Sequence, residues 1–163
     1  MSSSNDQSEL YNAAFAKLAM AFRKDKWEVR QEDPPQAYLH VSLPIWGDEN
    51  MDGIHLETYI LKTQIRNQSA PVALHCEDGC HFREQFMQLM LDRAKNTIKD
   101  WPGGYKLMGN PTISGCSICE VEVPFGSNIE ETIEKLSVEL KRLQTLAPII
   151  EEIILELREE QQQ

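Results

Sequence analysis

Two cysteines and two histidines fall within seven residues, in "HCEDGCH" at positions 75–81. Structural zinc sites use such ligands at short spacings, and "CSIC" at 116–119 adds a Cys-x-x-Cys. Strand alternation works against a shared site. Cys76 lines up with Val72 and Leu74, whereas His75 faces the other way with Ala73. Cys119 lines up with Val121 and Val123, and Cys116 projects to the opposite side unless the chain bends at 115–117. Asp78 is placed to cap a helix bearing Phe82 and Phe86, which puts Cys80 in its first turn, where the helix dipole lowers a thiol pKa. A small metal- or thiol-dependent enzyme centred on Cys76, Cys80 and His81 is therefore one reading of the chain. Against it stands the commoner fate of cysteine, burial as a small unreactive hydrophobe.

Two other constellations bear on chemistry. "DENMDG" matches the opening of an EF-hand calcium loop through Asp48, Asn50, Asp52 and Gly53, but Tyr59 holds the twelfth position, where a bidentate glutamate is needed. Strands flank it, so a hairpin loop is the better reading. His40, His55, Glu57 and His75 are candidates for general acid–base work. His55 and Glu57 share a strand face with Tyr59, and His40 shares one with Tyr38. Exposed sheet faces carry the same residue types. With no Ser/His/Asp arrangement and no nucleotide-binding glycine loop, an enzyme is the lesser expectation, and no cofactor is expected.

The elements that would carry these residues follow from periodicity. Residues 1–8 are polar and predict a disordered tail, with Ser8 capping a helix that runs to about Lys24. Strands are expected over 26–31 with Trp27 and Val29 on one side, at Tyr38–Leu43, from Ile54 as far as Ile65, at 71–76, 105–109 and 117–123. Between them, Phe82, Phe86, Leu89, Met90, Ala94 and Ile98 form a helical stripe that stops before "DWPGG". The pattern specifies an α+β fold: an antiparallel sheet of about five or six strands with helices packed on it, in one domain over residues 9–160.

The strongest periodic signal lies at the C-terminus, 127–160. Ile129, Ile133, Leu136, Leu140, Leu143, Ala147, Ile150, Ile154 and Leu157 alternate spacings of four and three, a heptad stripe. Ser127 and Glu130 are spaced as a capping box. Pro148 requires a kink or a restart. Beyond it Ile149 and Ile153 widen the apolar face. Such a helix either covers its own sheet or pairs outside the chain, and the expectation is that Leu143, Ile149, Ile150, Ile154 and Leu157 meet a partner.

The whole-chain order of helix, strands, helix, two strands and amphipathic helix resembles the secretion-chaperone-like fold of small type III secretion chaperones and YbjN-type proteins. The resemblance covers roughly residues 9–157 and lies in layout, size and acidity. It implies a homodimer that holds an extended client segment without a cofactor. Composition agrees with a protein partner. The 163 residues hold 16 basic and 26 acidic side chains, a formal charge of −10 that repels phosphate backbones and anionic lipid. No apolar run approaches the roughly 18–20 residues of a membrane span and no secretory leader is evident, so a cytoplasmic location is expected. The sequence thus points to a non-enzymatic protein-binding module, chaperone-like or regulatory, that binds a partner segment through apolar sheet and helix surfaces.

Overall fold

The computed structural model describes residues 4–32, 34–47, 53–80, 82–108, 112 and 117–163. The elements run α1 (Ser4–Phe22), β1 (Glu28–Arg30), β2 (Tyr38–Ser42), β3 (Ile54–Tyr59), α2 (Lys62–Asn67), β4 (Ser69–Cys76), α3 (Arg83–Lys99), β5 (Lys106–Leu107), β6 (Cys119–Pro124), α4 (Ile129–Gln144) and α5 (Ala147–Gln161). A 3₁₀ turn over Pro44–Trp46 follows β2. The strands form one sheet, antiparallel throughout, in the order β1-β2-β3-β4-β6-β5. This is the α+β architecture that the periodicities specify. Among the described residues no helix is long and apolar enough to cross a membrane.

Alternation divides the sheet into two unlike faces. Leu39, Val41, Leu56, Leu74, Val72, Cys119 and Val121 point to one side and are at most a few per cent exposed. The helices cover that side with Phe15 and Phe22 of α1, Phe86, Met90 and Ala94 of α3, Leu136, Leu140 and Leu143 of α4, and Ile150 and Ile154 of α5. Burying a side chain of this size contributes roughly 1.5–3 kcal/mol. Charged contacts tie the helices at their margins. Arg93 of α3 reaches Glu156 of α5 at 2.7 Å, and Arg158 donates to the carbonyls of Ile45 and Gly47 at 2.9 Å each.

Several boundaries differ from the sequence reading, each for a local reason. The first helix starts at Ser4, so Ser8 lies inside it rather than capping it. The strand from Ile54 ends at Tyr59, and Lys62–Asn67 turn into a short helix. There the Gln64 side chain accepts from the Leu61 backbone, and Gln68 closes the helix in the left-handed region at φ 54°. β4 begins two residues before Pro71. Pro71 pairs with Glu122 just past the last β3–β4 pair, Thr58 with Val72, and the Thr58 hydroxyl donates to the Pro71 carbonyl at 2.8 Å. A residue without an N–H is tolerated where one flanking ladder has ended.

At the C-terminus the break falls at Thr145–Leu146, and Pro148 occupies the first turn of α5, where its missing N–H costs nothing. The cap of α4 sits one residue later than the Ser127–Glu130 pairing. Asn128 accepts from the Glu131 backbone N–H at 2.8 Å, and the Glu131 carboxylate reaches back to the Ser127 N–H at 2.8 Å. The same reciprocal logic holds in a shifted register.

Candidate functional site on the open sheet face

The residues that alternate with the core set point away from the helices. They are Tyr38, His40 and Ser42 on β2, His55, Glu57 and Tyr59 on β3, Ala73 and His75 on β4, and Glu120 and Glu122 on β6. Register then decides which of them meet. His40 lies directly opposite Glu57, and His55 directly opposite His75. Three of the chain's four histidines thereby gather around one carboxylate.

Glu57 Oε2 is the hub. It accepts from the Tyr38 hydroxyl at 3.0 Å and lies 3.3 Å from His55 Nε2 and 3.5 Å from His40 Nε2. His55 Nε2 is also 3.7 Å from Glu77 Oε1, just past the end of β4. The His40 and His55 rings stack at 3.9 Å between centroids, tilted by 18°. Tyr38 stacks on Tyr59 at 5.5 Å. His55 is only 1% exposed although it sits on the uncovered face, because its neighbours enclose it. Among the described residues, its Nδ1 and the His75 Nδ1 are buried without a hydrogen-bond partner.

Electrostatics follow from this enclosure. Burial pushes the Glu57 carboxyl upward, but hydrogen bonds from His40 and His55, with the field of His55 and His75, outweigh it and hold Glu57 well below the usual carboxylate range. Burial lowers the His55 pKa by more than its hydrogen bond to Glu57 raises it, with His40 adding to the lowering. Burial, then the Glu57 charge, raises the Tyr38 phenol, which stays a donor. At neutral pH the centre is an ionised carboxylate between a neutral buried imidazole and a second imidazole. Chemically it offers hydrogen-bond acceptors, a proton relay and ligands for a cation.

The crowded stretch at 75–81 behaves otherwise. Cys76 is fully buried and Cys80 is 3% exposed, both inside the hydrophobic core. A hydrogen bond to Cys80, then burial, raises the Cys76 thiol far above its ordinary value, and burial pushes Cys119 up to about 12. The helix begins at Arg83 rather than beside Asp78, so Cys80 precedes its first turn and is not the exposed, ionised thiol expected from a capped helix start. Arg83 seals the junction, its Nε donating to the Cys76 carbonyl at 3.1 Å with Asp78 at 3.5 Å. His81, Cys116 and the Asp48–Asp52 loop lie outside the described residues.

The proposed partner-binding stripe is also inside. Leu143, Ile150 and Ile154 have no exposed surface, and Leu157 has 5%. Ile149 is half-buried against the same core. Leu143 lies on α4, which packs on β3, β4 and β6, and the residues of α5 lie on a helix packed against α3 and the Pro44–Trp46 turn, so the chain's own core takes up these side chains.

The histidine cluster was visible in the sequence only as residues of matching parity on separate strands. The Tyr38–Glu57 bond and the approach of Glu77 had no sequence signal, since both depend on register. Compared with protein-family models, with curated proteins and with solved structures, the chain matches none.

Proposed function

We propose that this chain is a non-enzymatic binding module, chaperone-like or regulatory, whose working surface is the face of the sheet that, among the described residues, no helix covers. The observation that carries this reading is the asymmetry of the sheet: the core sits on one face, and the other presents tyrosines, histidines and glutamates on β2, β3, β4 and β6. Half-exposed Tyr38 and Tyr59 supply rigid contact area, and Glu57, Glu77, Glu120 and Glu122 give the face a negative charge. A basic, extended segment has the complementary chemistry. The net charge of −10 supports the same class of partner.

The expected homodimer loses its basis in Leu143, Ile150, Ile154 and Leu157, because the chain uses them internally. Burial of Cys76, Cys80 and Cys119 likewise leaves the thiol-enzyme reading without a nucleophile among the described residues.

The test is fluorescence anisotropy with labelled Lys/Arg-rich peptides of about ten residues, against acidic peptides of equal length. Basic peptides should bind more tightly, weaken with salt, and lose at least tenfold in affinity to a Glu120→Lys/Glu122→Lys variant. Equal affinity for both peptide sets, or binding indifferent to the charge reversal, would overturn the reading.

A further inference from the structure

The centre of the open face has a more specific capacity that does not depend on which partner the face takes. Two imidazoles and a carboxylate are the donor set that first-row transition ions take. One ligand atom from each of His40, His55 and Glu57 lies within 4.8 Å of the other two. For metal–ligand bonds of about 2.0–2.1 Å, the edge of a tetrahedral site is about 3.4 Å. The separations from Glu57 Oε2 to His55 Nε2 and His40 Nε2 are 3.3 and 3.5 Å. Neither pair needs backbone movement to reach coordination distance.

We propose that His40, His55 and Glu57 form a binding site for a divalent transition-metal ion of the zinc class. His40 and Glu57 face each other across the β2–β3 ladder and His55 is paired with His75 in the β3–β4 ladder, so paired strands hold all three backbone positions. The Tyr38 hydroxyl orients the carboxylate from outside the ligand set, the role that outer hydrogen bonds play around metal ligands. His40 Nε2, buried and 3.5 Å from Glu57 Oε2, gains a coordination bond to the ion. The cleft beside His40 and His55, between Arg23, Glu28, Arg30 and Ser42, supplies a path from solvent. Neutral imidazole is the ligating form. The two rings lie nearly parallel, so closing on one ion requires the largely buried His40 ring to turn toward the site. Ca²⁺ and Mg²⁺ prefer oxygen ligands and do not suit this set.

The experiment is calorimetric titration of the full chain with Zn²⁺, with Co²⁺ as an optical probe and Mg²⁺ as a control. One equivalent of Zn²⁺ should bind, Mg²⁺ should not, and His40→Ala and Glu57→Gln should each weaken Zn²⁺ at least tenfold, while Cys76→Ala and Cys80→Ala leave it unchanged. A readout independent of folding in any variant is the imidazole ¹H–¹⁵N spectrum of the unmutated chain, where Zn²⁺ should shift the nitrogens of His40 and His55. No Zn²⁺ binding, shifts confined to other histidines, or affinity lost only on removing cysteines would overturn the proposal.

Discussion

The two faces of the sheet are built from the same strands, yet one is a packed interior and the other an assembly of titratable groups. On the helix side, Cys76, Cys119, Leu74 and Ile154 are shielded and interchangeable in kind, because dispersion and water exclusion reward volume rather than chemistry. On the open side, His40, His55 and Glu57 are held by partners whose identity matters, Tyr38 and Glu77 among them. Crowding along the chain was a poor guide to chemistry. The dense "HCEDGCH" stretch places both of its cysteines in the core, while a cluster drawn from two strands shares one carboxylate oxygen.

Substitutions on the two faces should therefore differ in size and in kind. The largest effect is expected from Ile154→Glu, which places a carboxylate in the fully buried interface of α5. The cooperative thermal transition followed by circular dichroism should disappear. A folded variant with an altered sedimentation mass would instead put Ile154 at a partner surface. Cys119→Ser, in the core of β6, should cost about 1–3 kcal/mol through a buried hydroxyl, read as a lowered urea midpoint. In the native chain the thiols of Cys76, Cys80 and Cys119 should stay inert to a thiol reagent until denaturant is added; rapid labelling of any of them would break the contrast between the faces.

The polar face should reveal itself through pH. Folded His55 and folded Glu57 both hold protons more weakly than when unfolded, so the unfolded chain takes up more protons as pH falls and stability declines with acid. The decline should begin below the ordinary histidine value of 6.5 through His55 and steepen below the ordinary glutamate value of 4.5 through Glu57. Glu57→Gln should flatten the lower part of that profile in urea titrations at stepped pH. An unchanged profile would mean the carboxylate is not held by its histidines. The smallest effect is expected from Tyr38→Phe, about 0.5–1.5 kcal/mol for one hydrogen bond, with the pH profile shifted rather than flattened.

How far the sequence reached can be seen element by element. The heptad stripe from Ile129 to Leu157 and the alternation of Leu39, Val41 and Leu56 announced a helix and strands with one apolar side each. Periodicity is a local property, and burying one side of each element satisfies it. What covers an apolar stripe is not local. The same stripe suits a second copy or the chain's own core, and here the chain's own core takes it up. The end of β3 at Tyr59 was missed because Leu61, Ile65 and their neighbours read equally well as strand or short helix. The capping residue slipped by one because Ser127 and Asn128 both offer a side-chain oxygen near the helix start.

By itself, then, the sequence determined the α+β class, the apolar face of each element and the parity that sets His40, His55 and Glu57 on the polar side of their strands. Only the tertiary structure decided that β2, β3 and β4 are neighbours in a register that sets His40 against Glu57 and His55 against His75. The physical reason is that a one-residue slip would turn a whole strand's apolar set out of the core. The core therefore fixes the register, and the register assembles the cluster on the opposite face.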